Sequence, residues 1–388
     1  MLIAENIHAI GVADAHIRLF EGQYATPNGM AYNSYCIDDD RIAVLDTVDA
    51  HCVEEWMRNL SAVLAGRMPA YLIVQHMEPD HSGGIAAFMQ AYPEATVVAT
   101  AKAFPMMEQF FPAAADWKRL TVGAGSTLCL GRHTLTFVPA PMVHWPEVTV
   151  SYDSATGVLF SADAFGTFGV PDAPGDWKEE ARRYFIGIVG KYGAPVQTLL
   201  KKAATLSIRV LAPLHGPVLS GAQVEEAVTL YDTWSAYRPE EAGVTIAYTS
   251  VYGHTEAAVR LLEQALQKKG VTVQTFDLAR CDMAAAVAAA FRFDRLVLAT
   301  TTYNGDVFPF MRDYLHRLTE RNFRSRTVGL VENGCWAPMA AKVMQQALSA
   351  CPDVTFAAPA VRIAGAVGEE SEKALLALAA AMAGGAAE

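Results

Sequence analysis

The chain has 388 residues, of which 52% are hydrophobic and 18% charged, so it can bury a large core and its length predicts two domains. Its formal net charge of -11 argues against a nucleic-acid or anionic-membrane partner, because either would favour a basic surface. No uninterrupted apolar stretch reaches the roughly 18 residues of a membrane span, and the N-terminus lacks a basic start followed by an apolar segment. These features predict a cytoplasmic globular protein.

The cysteines are scattered, and no Cys-x-x-Cys pair is present that could hold zinc, a rubredoxin-type iron or a redox disulfide. We therefore expect reduced structural thiols. The six positions are Cys36, Cys52, Cys129, Cys281, Cys335 and Cys351.

The first part of the chain alternates short apolar segments with turns, a pattern that predicts mixed layers of strands and helices. Strands are predicted over residues 7–12, 16–20, 32–37, 42–46, 71–74, 95–100 and 135–138. Helices are predicted over residues 52–64, 85–92 and 101–111, the last of which stops near Pro112.

The densest group of possible metal ligands lies in residues 75–84, Gln-His-Met-Glu-Pro-Asp-His-Ser-Gly-Gly. Pro79 favours an extended backbone before it, so alternate ligands can project from one side of a strand end. Ser82 is predicted to cap the helix over residues 85–92. On this stretch alone, a solvated acidic turn is the alternative. The four possible ligands are His76, Glu78, Asp80 and His81.

Three later segments repeat one design, an apolar run that ends on a ligand-type residue beside a turn. Residues 139–144, 157–163 and 210–215 end on His144, Asp163 and His215. Taken singly, each histidine could be a hydrogen-bonded core residue and the aspartate a helix cap. Together with the first motif they place seven possible ligands on four strand ends, which indicates a metal centre.

This His-x-Glu-x-Asp-His turn with the three later ligands resembles the metallo-β-lactamase-like domain of flavodiiron proteins, an αββα sandwich. Residues 145–146, 163–166 and 213–217 also look like signatures of that family. The resemblance implies a di-iron centre in which His76, Glu78 and His144 bind one iron, Asp80, His81 and His215 bind the other, and Asp163 bridges both.

Two features of this half bear on which metal it binds and on the surroundings of that metal. Hydrolytic zinc members of the superfamily generally carry a histidine in place of Glu78, and carboxylate oxygen mixed with imidazole suits redox iron. Residues 183–188, Arg-Tyr-Phe-Ile-Gly-Ile, depart from the family, which more often has a second tyrosine and an asparagine there.

Residues 231–243 have little periodicity and separate two differently patterned halves, so the predicted domains are 1–242 and 243–388. Beyond the boundary, strands over residues 244–248, 271–277, 295–299 and 327–331 alternate with helices over residues 255–269 and 309–319. This alternation predicts a doubly wound parallel sheet, which binds its ligand at the carboxyl ends of its strands.

The turn after the first of these strands, Ser250-Val251-Tyr252-Gly253-His254-Thr255, opens directly into a helix. Its hydroxyls, its glycine and the free amides of a helix N-terminus can cradle a phosphate. The turn lacks the three spaced glycines of a dinucleotide loop and the Gly-Lys of a triphosphatase, so a monophosphate fits better. The alternative is an ordinary polar turn capped by Thr255.

This turn resembles the flavodoxin phosphate loop, which implies FMN as cofactor. Two later segments would flank the flavin ring: Thr301-Thr302-Tyr303-Asn304-Gly305, and residues 332–338 with Asn333, Gly334, Cys335 and Trp336. Tyr303 and Trp336 are the aromatic candidates, with core aromatics at strand ends as the alternative. His254 and Cys335 stand where this group more often has asparagine and serine or threonine.

Taken together, the halves resemble a flavodiiron protein, which implies an oxidoreductase that reduces dioxygen to water or nitric oxide to nitrous oxide with electrons from FMN. The resemblance also implies a separate electron donor, rubredoxin or similar, and a head-to-tail homodimer or dimer of dimers with Trp145 near the partner's flavin. A zinc hydrolase, which has no need of the second domain, and an electron-transfer flavodoxin, which has no need of the first, are the alternatives.

Overall fold

The computed structural model describes residues 1–384, and chain contacts divide the protein into two compact units, Met1–Asp232 and the residues from Thr233 onward. This division lies earlier than the predicted boundary after residue 242. Residues 233–240 bond into the second unit, because Arg326 donates to the carbonyl oxygen of Tyr237 at 2.8 Å and the Glu240 amide donates to the Arg292 carbonyl at 2.8 Å.

The first unit contains two large sheets. Its strands are β1 (Leu2–Ala4), β2 (Ile7–Ala9), β3 (Val12–Asp14), β4 (Leu19–Phe20), β5 (Tyr24–Ala25), β6 (Met30–Tyr32), β7 (Tyr35–Ile37), β8 (Ala43–Leu45), β9 (Tyr71–Val74), β10 (Thr96–Thr100), β11 (Arg119–Val122), β12 (Thr127–Cys129), β13 (Thr134–Pro139), β14 (Thr149–Asp153), β15 (Val158–Phe160), β16 (Val210–Ala212) and β17 (Leu219–Ser220). One sheet has the order β1-β2-β7-β8-β9-β10-β11 and the other the order β12-β13-β14-β15-β16-β17. Two short pairs, β3 with β6 and β4 with β5, stand apart from them.

The two large sheets pack face to face, because buried side chains from both form one cluster. Leu45 and Ile73 of the first sheet belong to it together with Phe137 and Phe160 of the second. The helices of this unit are α1 (Val53–Leu64), α2 (Pro79–Ser82), α3 (Ile85–Ala91), α4 (Ala103–Phe110), α5 (Trp177–Tyr184), α6 (Gly193–Ala203) and α7 (Ala222–Ser235), and a π-helical turn, Phe185–Val189, follows α5. This architecture confirms the predicted αββα sandwich.

The second unit is a parallel sheet covered by helices. Its strands are β18 (Glu241–Tyr248), β19 (Val273–Asp277), β20 (Phe293–Tyr303), β21 (Asp306–Val307), β22 (Thr327–Asn333), β23 (Thr355–Phe356) and β24 (Val361–Ile363), and its helices are α8 (His254–Lys268), α9 (Met283–Arg292), α10 (Pro309–Glu320), α11 (Ala340–Leu348) and α12 (Glu369–Met382). The order β19-β18-β20-β22-β23 confirms the doubly wound sheet, with β24 beside the end of β22. Ile246, Val297 and Val331 of the strands share a core with Leu262 of α8 and Leu378 of α12.

Four local predictions are wrong, one of them the strand predicted over residues 32–37, which is divided between β6 and β7. The strand predicted over residues 7–12 is split at Gly11, where a Cβ would lie 2.3 Å from the Tyr32 carbonyl oxygen. Of the strand predicted over residues 16–20, only β4 forms. Ser82 does not cap the following helix, because its hydroxyl lies within α2 and donates to the Met77 carbonyl at 3.0 Å.

Hydrophobic periodicity did not predict α9, because most of its own side chains are buried. The helix therefore has no polar face and lacks the alternating pattern of a surface helix. Among the described residues, no helix has the length and apolar character that crossing a bilayer requires.

Candidate metal centre and flavin pocket

The structure brings all seven predicted ligand side chains together, although they come from four separate segments. The chain after β9 carries the first four, and the loops after β13, β15 and β16 carry one each. Within each of two groups, the ligand atoms lie within 4.8 Å of one another. The groups are His76, Glu78, His144 and Asp163, and Asp80, His81 and His215.

Asp163 stands between the two groups, and each of its carboxylate oxygens faces a different one. Its Oδ2 atom lies 3.0 Å from Nε2 of His144 and 3.6 Å from Nε2 of His76. Its Oδ1 atom lies 3.0 Å from Nε2 of His81 and 3.9 Å from Nε2 of His215. With one oxygen facing each group, this carboxylate could bind a metal ion on either side.

Two of the histidines are oriented by hydrogen bonds on the side away from the centre. Nδ1 of His76 donates to Oε1 of Glu147 at 2.8 Å, and Nδ1 of His215 donates to the carbonyl oxygen of Ala31 at 2.8 Å. These bonds set the ring tautomer and leave the Nε2 lone pair of each histidine directed at the centre, as is usual for metal-binding histidines.

In the second unit, the carboxyl ends of β18, β20 and β22 line a cavity of about 410 Å³. Every residue predicted to contact the flavin lines this cavity except Gly253 and Tyr303. Tyr303 instead packs edge-on against Phe308, with ring centroids 5.2 Å apart. Ala337, from the predicted segment 332–338, also lines the cavity, and Met339 and Gly365 are lining residues outside the predicted segments.

The family model described as ODP family beta lactamase matches residues 30–216. A nitric oxide reductase of Moorella thermoacetica is 28% identical, and the match spans 92% of this chain and 91% of that protein. The solved structure of rubredoxin oxygen:oxidoreductase from Desulfovibrio gigas is similar over 99% of this chain and 97% of its own, with 25% identity and a TM-score of 0.91. The fold is also that of the flavodiiron protein from Giardia intestinalis, which is 23% identical with a TM-score of 0.88 and aligns over 98% of this chain and 95% of that one.

The chain belongs to the flavodiiron protein family. Flavodiiron proteins are oxidoreductases with FMN and a di-iron centre, and these are the cofactors of this chain.

The iron fit rests on buried polar atoms at the centre of the cluster. Both carboxylate oxygens of Asp80 and the Nε2 atom of His81 are buried and lack an aligned hydrogen-bond partner among residues 1–384. Such atoms cost roughly 1–3 kcal/mol each when nothing satisfies them, and more when they are charged. Because they converge with imidazole and carboxylate donors, metal ions in a flavodiiron centre would satisfy them.

In the metal cluster, burial and hydrogen bonding shift the pKa values of the ligands in opposite directions. Burial disfavours the charged form of His144, but hydrogen bonds to Asp163 and Glu78 raise its pKa to about 9. Burial likewise opposes ionisation of Glu78, yet hydrogen bonds from His144 and His76 lower its pKa to about 2. Near neutral pH and without metal, His144 therefore carries a proton that metal binding would release, whereas Glu78 is already ionised.

Two buried carboxylates that support the flavodiiron ligands were not predicted from the sequence. Glu147 accepts from His76 and from the amide of Met77 at 2.9 Å. Asp46 accepts from the amide of Gln75 at 2.7 Å and from that of His76 at 3.2 Å, and burial raises its pKa to about 6. The sequence contained one clue to Asp46, because it is an acidic residue at the end of a predicted apolar strand.

The loop that carries Asp163 is held in a strained form. Ala162 and Phe165 both adopt the left-handed backbone region, with φ of 50° and 67°, which is unusual for residues other than glycine. The amide of Phe165 donates to the hydroxyl of Tyr231 at 2.5 Å, and the two rings lie 4.3 Å apart. Packing from α7 thus supports a conformation that the loop alone would not favour.

The segment that departs from the family pattern lies beside the same centre. The Tyr184 hydroxyl is buried and has no hydrogen-bond partner in the described part of the chain, and its ring lies 5.5 Å from that of His215. A side chain at Gly187 would collide with Tyr24, whose ring lies 2.9 Å from the position of a Cβ and whose hydroxyl donates to the Gly187 carbonyl. Tyr24 therefore fills the space that an asparagine at this position would need.

In the flavin pocket, several of the predicted polar side chains support the loops. The Ser250 hydroxyl accepts from the amides of Gly253 at 3.1 Å and Glu256 at 3.2 Å. The Thr302 hydroxyl accepts from the amide of Met339 at 2.9 Å. The Asn333 side chain both donates to and accepts from the backbone of Gly365. These bonds hold three loops around one cavity, as a flavin site needs.

Proposed function

We propose that this chain is an oxygen and nitric oxide reductase, which reduces dioxygen to water or nitric oxide to nitrous oxide with electrons delivered through FMN. The observation that carries the proposal is a buried seven-ligand cluster with one carboxylate between its halves, in a chain that also contains an FMN-type pocket. The names of similar proteins, nitric oxide reductase and rubredoxin oxygen:oxidoreductase, support it.

The ligands are assigned by the two groups that the geometry defines. One iron would be held by His76, Glu78 and His144 and the other by Asp80, His81 and His215, and Asp163, which faces both groups, would be shared between them. At this site, a di-iron centre would supply the electrons that reduce a small gas, and the flavin would be their source. The seven ligands include three carboxylates, a composition that favours iron. Zinc hydrolases bind their metal with more nitrogen ligands.

The protein contributes burial and a hydrogen-bond donor. Six of the seven ligand side chains are buried, which keeps bulk water from the gas site. The unpartnered hydroxyl of Tyr184 can donate to a small molecule beside His215, and burial together with nearby carboxylates raises its pKa, so it keeps its proton. We propose on this basis that dioxygen, and not nitric oxide alone, is a competent substrate.

Metal and flavin analysis of the purified protein tests the assignment. We expect about two irons and one FMN per chain. Zinc at full occupancy without flavin would instead identify a hydrolase, and FMN without metal would identify an electron-transfer flavoprotein.

The substrate preference is tested by measuring steady-state consumption of both gases by the same enzyme with reduced rubredoxin as donor. Dioxygen uptake is expected with the wild-type protein. Brisk loss of nitric oxide with no detectable uptake of dioxygen would refute this ordering of substrates.

We further propose a head-to-tail homodimer, or a dimer of such dimers, in which Trp145 lies near the partner's flavin. Tyr252 and Trp336 are 89% and 83% exposed at the flavin pocket, an apolar surface that a second copy would cover. The Trp145 ring lies 5.3 Å from that of His76, beside the metal cluster. Sedimentation across a dilution series tests this, and a fully active monomer would contradict it.

Rubredoxin is the proposed donor, because the similar protein of Desulfovibrio gigas is named for it. The cytoplasm is the proposed compartment, since all six cysteines are free thiols. Cell fractionation with an antibody against the chain tests the compartment.

A further inference from the structure

The flavin pocket has little positive charge, although its ligand is an anion. FMN carries a phosphate with close to two negative charges at neutral pH. No lysine or arginine lines the cavity in the described part of the chain, and His254 is the one lining side chain that can become positive. The protein as a whole has a formal net charge of -11, so its general field does not attract an anion.

His254 stands at the first position of α8, directly after the left-handed turn of Gly253 at φ 86°. The Ser250 oxygen already accepts from the amides of Gly253 and Glu256. Within residues 1–384, the backbone amides of His254 and Thr255 have no acceptor, and Thr255 is buried at the cavity wall. The phosphate end of the pocket thus offers neutral donors together with one imidazole.

We propose that His254 is an ionisable phosphate ligand that makes FMN affinity depend on pH near neutrality. The inference rests on FMN as the ligand of this cavity and deepens that assignment. A neutral amide such as that of asparagine would donate the same hydrogen bond at every pH. An imidazole changes its charge between about pH 5 and 8, and its protonated form adds a charge-assisted hydrogen bond to the phosphate.

The charged groups around this end of the sheet are paired with one another. On α8 itself, Arg260 contacts Glu256, and at the end of β19, Arg280 contacts Asp277. Among the cavity residues, the Tyr252 phenol and the Cys335 thiol can only become negative. None of these groups supplies the positive charge that the phosphate lacks.

The direction of the effect follows from linkage. A bound phosphate favours the protonated imidazole, so the extra affinity is present at the acidic side of the histidine titration and is lost as pH rises through it. The difference between a charge-assisted and a neutral hydrogen bond corresponds to roughly a tenfold change in affinity.

In the test, the full chain is freed of its flavin and then titrated with flavin at about pH 6.5 and pH 8.5. The phosphate of FMN is mainly dianionic at both pH values. FMN and riboflavin are compared by the quenching of flavin fluorescence, because riboflavin lacks the phosphate. The variants are His254→Asn and His254→Lys, and His316→Asn is the matched control, since that histidine is also exposed but pairs with Glu320 outside the cavity.

We expect FMN affinity to fall about tenfold from the lower to the higher pH in the wild type and in His316→Asn, while riboflavin affinity stays constant. His254→Asn should bind FMN with little dependence on pH, and His254→Lys should bind it tightly at both values. An identical pH dependence in His254→Asn would overturn the proposal, as would loss of FMN binding in both His254 variants. A wild type that binds neither flavin would refute the cofactor assignment itself.

Discussion

Replacing Glu147 by alanine is expected to weaken iron binding by about 10- to 100-fold, the usual cost of losing the outer partner of a metal-binding histidine. Glu147 is 1% exposed, and its Oε1 atom accepts from Nδ1 of His76 at 2.8 Å and from the amide of Met77 at 2.9 Å. Alanine leaves both donors buried and unpaired, at roughly 1–3 kcal/mol each. A hundredfold loss of affinity corresponds to about 2.8 kcal/mol, which lies within that range.

Glutamine at the same position separates the charge from the hydrogen bond. Glu147→Gln keeps an acceptor oxygen for His76 and removes only the negative charge, so its loss should lie near the tenfold end. Glu147 lies in the first unit and the flavin pocket in the second, so FMN content should equal that of the wild type in both variants.

The assay is iron retention against a graded chelator, read by metal analysis of the desalted protein. Glu94→Gln is the matched control, since that glutamate is 84% exposed and pairs with Lys118 on the surface. If Glu147→Ala retained iron as firmly as Glu94→Gln, the orientation of His76 by Glu147 would be irrelevant to the metal and the reasoning would be wrong.

Three further predictions concern the ligand bridge, a surface histidine and the electron supply. Asp163→Ala should lose most gas-reducing activity but keep FMN, and near-normal turnover would show that Asp163 is not shared between two irons. Burial opposes the charge on His51, but hydrogen bonds to Asp49 and Asp14 raise its pKa above 6.5. Its stabilising effect is therefore complete below about pH 6.5 and disappears as pH rises through the folded-state value. Chemical denaturation of His51→Gln should show a loss of less than about 1 kcal/mol at pH 6 and almost none at pH 9, because half of the side chain is exposed to solvent, and equal losses would contradict this. NADH alone should reduce the FMN slowly in stopped-flow absorbance, whereas rapid turnover without an added carrier would exclude a rubredoxin-type donor.

The types of the candidate ligands and the kind of fold were readable from the sequence, because both depend on short-range patterns. Apolar runs that end on His144, Asp163 and His215 mark strand ends, and strand ends are where buried polar side chains reach a common edge. The regular alternation after residue 243 predicted the parallel sheet for the same reason. Where burial was nearly complete on every side, as in α9, the periodic signal vanished and the element was missed.

The arrangement of the site was decided by tertiary structure alone. That one oxygen of Asp163 faces His144 and the other faces His81 depends on how strands from two sheets are positioned, which no local pattern encodes. The support of His76 by Glu147 joins segments 71 residues apart, and Gly365 reaches the flavin pocket from a loop with no recognisable motif. Local chemistry determines which side chains can bind a metal or a flavin, whereas long-range packing determines which of them meet and which atoms remain without a partner.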